Sequence, residues 1–328
     1  MGEFDLIERY FKRPAVRAVL GVGDDCALLR PTPGTQLAIS SDMLVENRHF
    51  FANVDPLTLG HKALAVNLSD LAACGATPLA FTLALALPRA DEAWLAPFSR
   101  GLLALADAHG CELIGGDTTQ GPLNICITVF GEVPVLQGKS QALLRSGARA
   151  GDDVYVSGTL GDARLALEAL RGSVELPPAL LAQARGRLEQ PAPRVALGQA
   201  LRGVASSALD VSDGLLGDFN HILKASGVGA TLDTSIAMNL LAARAHPDWT
   251  PGLVSLEKQL EFVLSGGDDY ELAFTAPSLT RSAVQAAAHQ AGTPVTRIGR
   301  IDAAPGLRLI DANGENLSGS FASFDHFA

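Results

Sequence analysis

Six short segments of this 328-residue chain carry aspartates where an apolar run begins or ends. They are Gly23-Asp24-Asp25, Ser40-Ser41-Asp42, Asn67-Leu68-Ser69-Asp70, Gly115-Gly116-Asp117-Thr118-Thr119, Asp210-Val211-Ser212-Asp213-Gly214 and Gly266-Gly267-Asp268-Asp269-Tyr270-Glu271. An unpaired carboxylate is costly to desolvate, so aspartates in apolar surroundings normally have a partner. Five or six such segments in one chain therefore indicate a shared counter-ion.

Mg²⁺ suits this set of acids, because it prefers carboxylate, hydroxyl and water oxygens and accompanies phosphate groups. The glycines beside the acids let the backbone approach a phosphate closely. A phosphoryl-transfer site needs metal ions that neutralise the transferring oxygens, together with a few basic groups. Arg145 lies in a Gly-containing loop and is a candidate fork for phosphate. The residues alone thus make a magnesium–nucleotide enzyme one interpretation among several.

Structural explanations exist for several of these acids. Asp213 precedes a helical pattern. Taken alone, it would be better explained as the N-cap of that helix than as a metal ligand. Asp24 and Asp25 fit a turn about equally well. Asp70 follows Asn67 by three residues on one helical face among Leu and Ala, which favours a functional role over a structural one.

Motifs of other function classes are incomplete. The segment Gly138-Lys139-Ser140 has Val133 where a P-loop requires glycine, and Gly21-Val22-Gly23 is followed by Cys26 where a dinucleotide fingerprint requires glycine. Neither HExxH nor GxSxG occurs. The segment 311–314 imitates the start of a calcium loop, but its Asn-Gly pair predicts a turn between two strands.

Composition excludes further classes. The chain has 25 Lys and Arg against 35 Asp and Glu, a net charge of −10, which argues against nucleic-acid binding. The apolar run Leu79 to Leu87 is far shorter than the roughly 20 residues that a membrane span needs. The N-terminus is acidic from Glu3 and lacks the basic region of a signal peptide, and four scattered cysteines suit a reducing compartment. We therefore expect a cytoplasmic protein with no membrane partner.

The elements that must position these acids follow from apolar periodicity, which predicts a mixed α/β or α+β fold. Helices are predicted at 3–11, 56–74, 91–109, 161–171, 178–188, 193–202, 214–225 and 278–291. Strands are predicted at 36–42, 79–87, 111–116, 123–133, 153–157, 206–211, 228–233, 270–276, 295–301 and 307–311, with a less regular region before 270. A loose Pro- and Gly-containing connection at 134–152 predicts two domains, residues 1–138 and 139–328.

At these acidic segments the sequence resembles the thiamine-monophosphate kinase family, within the aminoimidazole ribonucleotide synthetase-like superfamily. The resemblance is carried by residues 2–7, 21–29, 37–42, 62–73, 113–119, 210–215, 265–272 and 324–327, which follow the family's order along almost the whole chain. Each motif is weak by itself, but the set is highly specific.

The resemblance implies a two-domain aminoimidazole ribonucleotide synthetase-like fold. The N-terminal domain would bind ATP and Mg²⁺, and its sheet would pair with that of a second subunit into a barrel, giving a homodimer. The C-terminal domain would be α/β. The implied reaction is direct in-line transfer of the γ-phosphate of ATP to thiamine monophosphate, with several Mg²⁺ ions. Because the acceptor is already an oxyanion, no strong general base is needed.

The resemblance also assigns site residues, motif by motif. The implied metal ligands are Asp25, Ser40, Ser41, Asp42, Asp70, Asp117, Asp210 and Asp213, of which Asp42, Asp70, Asp117 and Asp213 are expected to act in catalysis. The implied ATP contacts are Gly116, Asp117, Arg145 and Ser212. The implied thiamine-phosphate contacts are His49, Asp268 and Phe324. The chain departs from the family at Ser41, Asp268 and Phe324, where Thr, Glu and Tyr are usual.

Two other functions stay open. One is a different ATP-dependent synthetase of the same superfamily, which would activate an amide or carbonyl oxygen. The other is a non-catalytic acidic protein that binds Mg²⁺ and nucleotide. Turnover of ATP with thiamine monophosphate distinguishes these from a kinase.

Overall fold

The computed structural model describes residues 2–317. Within these residues the chain forms two compact units, one from residues up to 71 together with 76–141, and the other from residues 72–75 together with residues from 142 onward. Both units combine helices with a sheet, so the predicted mixed α/β architecture in two parts is confirmed. No helix in the described part of the chain is long and apolar enough to cross a membrane.

The first unit is built on a five-stranded sheet. Its elements are α1 (Glu3–Tyr10), β1 (Thr35–Val45), α2 (Pro56–Ala73), β2 (Thr77–Leu87), α3 (Glu92–His109), β3 (Glu112–Gln120), β4 (Asn124–Leu136) and β5 (Lys139–Ser140). The strand order is β1-β4-β2-β3, with β5 paired to β4. Strand β4 is antiparallel to β1 and β2, whereas β2 and β3 are parallel and joined through α3.

Helices α2 and α3 meet backbone to backbone. A Cβ atom on Gly60 would lie 2.1 Å from the carbonyl oxygen of Phe98, and one on Gly101 would lie 1.9 Å from that of Leu57. Only glycine allows such an approach. The two helices are therefore held at a fixed, short separation, and α2 in turn contacts β1 through a hydrogen bond that its Asn67 side-chain oxygen accepts from the backbone N–H of Asp42.

The two faces of strand β1 differ in exposure. Leu37, Ile39 and Met43 are 42%, 60% and 54% exposed, whereas Leu44, on the alternate face, is buried. Successive side chains of a strand point to opposite faces. One face of β1 therefore serves the core, and the other presents large apolar side chains at the surface.

The second unit contains a six-stranded sheet of order β11-β8-β10-β6-β9-β7. Its strands are β6 (Asp152–Ser157), β7 (Ser207–Val211), β8 (Gly229–Asp233), β9 (Glu271–Pro277), β10 (Val295–Asp302) and β11 (Gly306–Ile310). Its α-helices are α4 (Asp162–Leu170), α5 (Pro178–Glu189), α6 (Val195–Ala200), α7 (Leu215–Ser226), α8 (Thr234–Ala237), α9 (Leu256–Ser265) and α10 (Arg281–Ala291), and short 3₁₀ turns lie at Met238–Leu240, Ala242–Ala245 and Ser278–Thr280. All residues of β6 and β7 are buried, so the sheet is covered on both faces there.

Most predicted elements are found within a few residues of their predicted bounds, and two strands differ in a way that affects the acidic segments. Strand β1 continues to Val45 and β3 to Gln120, so two of the acidic segments lie inside strands rather than at their ends. The region predicted as irregular contains the short helices α8 and α9, which are separated by a segment that includes Pro247, Pro251 and Gly252. The segment 311–314 forms the expected turn, closed by a bond from Gly314 N to Asp311 O.

Candidate functional site

In the first unit, one side of β1 gathers three of the predicted site residues. The Ser40 hydroxyl donates to the Asp70 carboxylate on α2. The backbone N–H of Asp42 donates to the Asn67 side-chain oxygen at 3.1 Å, and the Asn67 amide donates to Ala63 O at 3.0 Å. Asn67 is almost fully buried. Asn67 thus fixes the spacing between strand and helix, and the oxygens of Ser40, Asp42 and Asp70 share one side of the sheet.

Ser41 lies on the opposite face of the same strand. Its hydroxyl donates to Ile127 O at 3.2 Å and shares a hydrogen bond of 3.0 Å with the Thr128 hydroxyl of β4. The alternation of a strand separates neighbouring side chains by construction. The hydroxyls of Ser40 and Ser41 therefore point to different sides of the sheet.

A cleft of about 720 Å³ brings other predicted residues together within the first unit. It is lined by α1, the segment 22–27, β2 and β3, and Asp24, Asp25, Gly116 and Asp117 all contribute to its wall. Lys12, in an ion pair with Glu8, also lines it. This volume falls within the range of small-molecule sites, roughly 300–1,000 Å³.

Gly116 has a structural reason to be glycine at the wall of this cleft. Its φ is +146°, and a Cβ atom would lie 1.8 Å from the carbonyl oxygen of Leu83 on β2. Any larger residue would push β3 away from β2 and move Asp117 with it. At the other wall, the Asp24 carboxylate accepts the backbone N–H of Asp25 at 2.8 Å.

His49 lies in the turn that follows β1. Its Nδ1 accepts the backbone N–H of Val45 at 2.9 Å. An imidazole that accepts at Nδ1 carries its proton on Nε2 in the neutral form. The turn thereby fixes the tautomer of His49.

In the second unit, two acidic segments run side by side. Strands β7 and β9 are antiparallel, with Asp210 opposite Leu272. Beyond the end of β7 the pairing continues, because Tyr270 N donates to Val211 O and Asp268 N donates to Ser212 O, both at 2.8 Å. The structure therefore brings Asp210, Ser212 and Asp268 to one end of the sheet.

Close packing at this end explains the glycines in both segments. A Cβ atom on Gly267 would lie 2.5 Å from Ser212 O, and one on Gly214 would lie 2.8 Å from the Ser265 carbonyl. Asp268 and Tyr270 themselves have φ of +67° and +51°. Non-glycine residues in this region are strained, so the surrounding structure must hold them there.

Two buried acids that sequence reasoning did not single out provide that hold. Asp269 is buried, and its carboxylate accepts the backbone N–H of Gly161 at 3.0 Å. Burial raises the pKa of Asp269 well above its usual range, against the opposing effects of the Gly161 bond and of Arg187. The Asp269 side chain is therefore not solvated, and it is an anchor for the segment that presents Asp268.

Glu271 is the second anchor and is fully buried. It accepts from Arg187 at 2.7 Å, from Arg194 Nε at 2.6 Å and from the Ser157 hydroxyl at 2.6 Å. The two arginines lie on or beside α5 and α6, about 80 residues away in sequence. Period-two alternation in Asp268–Glu271 gives a weak signal for inward-facing acids, but nothing in the sequence identifies their partners.

Asp213 does not cap a helix. Helix α7 begins at Leu215 with Gly214 as its N-cap residue, so the N-cap interpretation of Asp213 is wrong. The segment is instead held by Asp218, whose carboxylate accepts the backbone N–H of Ser212 at 2.9 Å and of Asp213 at 3.0 Å. Burial raises the pKa of Asp218 to about 6, with the Asp213 charge adding to the effect and the backbone bonds opposing it.

Arg145 is exposed and lies near the other end of β7. Ala208 N donates to Leu144 O at 2.9 Å, so the backbone of this loop joins the start of β7, about 13 Å from Ser212 at 3.3 Å per residue. The Ser226 hydroxyl accepts from Gly147 N and holds the loop in place. The predicted contact of Arg145 with ATP stays a prediction, and Phe324 lies outside the described residues.

The donor chemistry of these residues fits a hard cation, because carboxylate and hydroxyl oxygens predominate. Among residues 2–317, no three His, Cys, Asp or Glu side chains already form a group that could hold a metal ion. What the structure gathers is a set of oxygen donors in each unit.

Comparison with known proteins covers almost the whole chain. Residues 23–133 match the family described as AIR synthase related protein, N-terminal domain, and residues 149–312 match the corresponding C-terminal domain. The thiamine-monophosphate kinase of Escherichia coli strain K12 is 46% identical over 332 residues, covering 100% of this chain and 98% of that protein. The thiamine-monophosphate kinase of Bacillus subtilis strain 168 is 33% identical over 316 residues, covering 92% of this chain and 91% of that protein.

Solved structures agree with these relatives. The crystal structure of thiamine-monophosphate kinase from Stenotrophomonas maltophilia K279a has a TM-score of 0.81 and 42% identity, covering 96% of each chain. A structure of AaThiL complexed with AMPPCP and TMP has a TM-score of 0.74 and 26% identity, covering 91% of this chain and 89% of that one.

Proposed function

We propose that this chain, which belongs to the thiamine-monophosphate kinase family of AIR synthase related proteins, phosphorylates thiamine monophosphate. The bond between the γ-phosphorus of ATP and its bridging oxygen breaks, a bond to a phosphate oxygen of thiamine monophosphate forms, and ADP leaves with thiamine diphosphate as the product. The observation that carries this proposal is 46% identity along the full chain to a kinase of this name. The complex of a related structure with AMPPCP and TMP supports ATP and thiamine monophosphate as the substrates.

Mg²⁺ belongs to the proposal, because it would neutralise charge on the transferring phosphoryl oxygens. Its proposed ligands in the first unit are Asp25, Ser40, Ser41, Asp42, Asp70 and Asp117, and in the second unit Asp210 and Asp213. The shared side of β1 supports a joint role for Ser40, Asp42 and Asp70. The Ser41 hydroxyl lies on the opposite face of β1, so the proposed ligand atom of Ser41 is its backbone carbonyl oxygen.

The nucleotide and the acceptor require different contacts. Gly116 and Asp117 line the cleft of the first unit, where the close approach of Gly116 to β2 holds Asp117 at the wall. Arg145 and Ser212 are the other proposed ATP contacts. His49, Asp268 and Phe324 are the proposed contacts of thiamine monophosphate, and Asp268 reaches less far than the Glu usual in the family. Positioning and charge neutralisation carry the reaction, since the acceptor is already an oxyanion.

The assembly and the division of labour are proposals too. A homodimer, joined through the first unit's sheet into a barrel, is supported by the exposed apolar face of β1 at Leu37, Ile39 and Met43. Residues 1–138 would bind ATP and Mg²⁺ and form the dimer, residues 139–328 would be the C-terminal α/β domain, and the protein would act in the cytoplasm. Light scattering of the purified chain should give twice the 34.1 kDa chain mass. A monomeric mass for Ile39→Asp together with a dimeric mass for the wild type would support this face of β1 as the dimer interface.

The test of function is incubation of the purified chain with ATP, MgCl₂ and thiamine monophosphate. We expect ADP and thiamine diphosphate in equal amounts. ATP binding without turnover would refute the kinase in favour of a binding protein. Turnover that requires an amide or carbonyl substrate instead would favour another synthetase of the superfamily.

Variants locate the chemistry. Asp42→Asn and Asp70→Asn should each lower turnover at least ~100-fold, as the loss of a key electrostatic group can. Asp107→Asn is the matched control, because Asp107 is an exposed carboxylate of the same unit whose partner is Arg13. Asp268→Ala should raise the KM for thiamine monophosphate. Near-normal activity in both Asp42 and Asp70 variants would refute the metal assignment, and an unchanged KM would remove Asp268 from the substrate contacts.

A further inference from the structure

We infer that Asp218 is a positioning residue that sets the geometry between the Ser212–Asp213 segment and Asp268. This inference rests on the proposed function, in which those residues contact metal, nucleotide and acceptor. Asp218 itself lies in the first turn of α7, is 8% exposed, and belongs to none of the six acidic segments. Its role is to act through its neighbours.

The geometry shows how one carboxylate can do this. A single oxygen, Oδ2 of Asp218, accepts the consecutive backbone N–H groups of Ser212 and Asp213. The carbonyl of Ser212 accepts the N–H of Asp268 at 2.8 Å. Ser212 is therefore held by Asp218 on its amide side and by Asp268 on its carbonyl side. A shift of the Asp218 oxygen moves both segments together.

The rest of the surroundings leaves little freedom for an alternative arrangement. Gly214 has a φ of +119° and Gly267 packs against the Ser212 carbonyl, so the backbones on both sides of Ser212 are already in close contact. Helix α7 is fixed beneath them by buried Leu215, Phe219 and Ile222. Asp218 is thus the link between a rigid helix and the segment that carries Asp213.

Because both bonds end on one oxygen, substitutions at Asp218 separate geometry from charge. Asp218→Asn can place its amide oxygen at the same point and keep both bonds. Asp218→Ala removes them. Asp218→Glu keeps the charge but displaces the oxygens by one methylene. If the inference holds, Asn resembles the wild type, whereas Glu resembles Ala.

The same unit offers a matched control. One oxygen of Asp233 accepts the consecutive backbone N–H groups of Ser235 and Ile236 at 2.9 and 3.2 Å, at the start of α8. Asp233 holds no predicted site residue. Asp233→Ala therefore removes the same pair of bonds without touching the segment of interest.

The first measurement is hydrogen–deuterium exchange of the full chain without metal or nucleotide, followed on peptides that cover 210–216 and 266–270. We expect Asp218→Ala to exchange faster in both peptides, Asp218→Asn to match the wild type, and Asp233→Ala to change neither. Unchanged exchange in Asp218→Ala would overturn the inference. If Asp218→Ala does not fold, Asp218→Glu replaces it with the same expected outcome.

The second measurement is the affinity for Mg²⁺–ATP by calorimetry, with the KM for thiamine monophosphate. Asp218→Ala and Asp218→Glu should weaken Mg²⁺–ATP binding about 10- to 100-fold, as expected when the two hydrogen bonds that fix the segment are lost. Asp218→Asn should stay within about threefold. Equal losses in Asn and Ala would overturn the positioning role. A wild-type chain that binds Mg²⁺–ATP but transfers nothing would refute the kinase alone, because the exchange and binding results would still decide the role of Asp218.

Discussion

Removal of the Glu271 carboxylate should destabilise the second unit strongly. The Glu271 side chain is fully buried, and the side chains of its partners Arg187 and Arg194 are only 22% and 19% exposed. In Glu271→Ala, both guanidinium groups and the Ser157 hydroxyl lose their acceptor while remaining largely out of water. Loss of one partner from a buried ion pair costs about 3–5 kcal/mol, because the remaining charge is left uncompensated.

The assay is differential scanning calorimetry at neutral pH. For a unit of this size, 1 kcal/mol corresponds to about 2–4 °C in Tm, so Glu271→Ala should lower the transition by roughly 6–20 °C. Glu271→Gln keeps the side-chain volume and one acceptor oxygen, so its Tm should lie between those of Glu271→Ala and the wild type. Glu189→Gln is the control, because its ion pair with Arg185 spans one helical turn with the arginine 41% exposed. Such a pair contributes about 0.3–0.5 kcal/mol.

A fall of less than about 2 °C for Glu271→Ala, or one no larger than the control, would refute this reasoning. It would mean that the arginines find water or other acceptors without cost. A large fall together with a raised KM for thiamine monophosphate would show in addition that the buried anchor holds the Asp268 segment in its strained conformation.

Two further outcomes follow from close contacts and charge. Gly116→Ala should lower the Tm of the first unit and weaken ATP binding, because its Cβ would lie 1.8 Å from Leu83 O. Gly121→Ala is the control and should do neither, because its Cβ would meet nothing closer than 3.6 Å. Equal Tm values in the two variants would contradict the packing argument. The hydrogen bond from Arg281 lowers the pKa of Asp153, with Arg297 adding to it and burial opposing it. Its folded pKa thus lies below the unfolded value of about 3.9, so its stabilisation is present above that pH and is lost as pH falls through the folded value. Asp153→Asn should lower Tm at pH 7 and flatten the decline of Tm between about pH 5 and 2, and an unchanged acid decline would contradict it.

Local patterns predicted much of the fold because the information for them is local. The apolar face of residues 56–74 predicted α2 almost to the residue, and it placed Asn67 and Asp70 on one helix. The short apolar runs at 206–211 and 270–276 predicted β7 and β9 close to their bounds, Ser207–Val211 and Glu271–Pro277. Helix α9, at Leu256–Ser265, was not predicted, because Pro247, Pro251 and Gly252 interrupt the pattern just before it.

The site could be predicted only in part, because several of its features depend on contacts remote in sequence. Motif resemblance indicated Asp210 and Asp268, but their adjacency depends on the pairing of β7 with β9. The partners of Glu271 lie in other helices, and a charged arginine in a polar stretch carries no sign of being drawn inward. Asp218 escaped notice because a side-chain bond to backbone N–H groups depends on the conformation of the segment, not on its composition. The separation of Ser40 from Ser41, by contrast, follows directly from the predicted strand 36–42, because successive side chains of a strand point to opposite faces.

The contact between α2 and α3 has a consequence for how substitutions affect the first unit. Gly60 lies about two turns from Asn67, and neither it nor Gly101 carries a group that could react. Yet a single methyl group at either would move α2 by about an ångström or more, because its Cβ would start some 2 Å from a carbonyl oxygen. The bond from Asp42 N to Asn67 is already 3.1 Å long and would be lost beyond about 3.5 Å. In a systematic mutational scan, Gly60 and Gly101 should tolerate replacement as poorly as the acidic residues themselves. Positions that do not tolerate replacement would therefore include residues that hold the site in place as well as residues that bind or react.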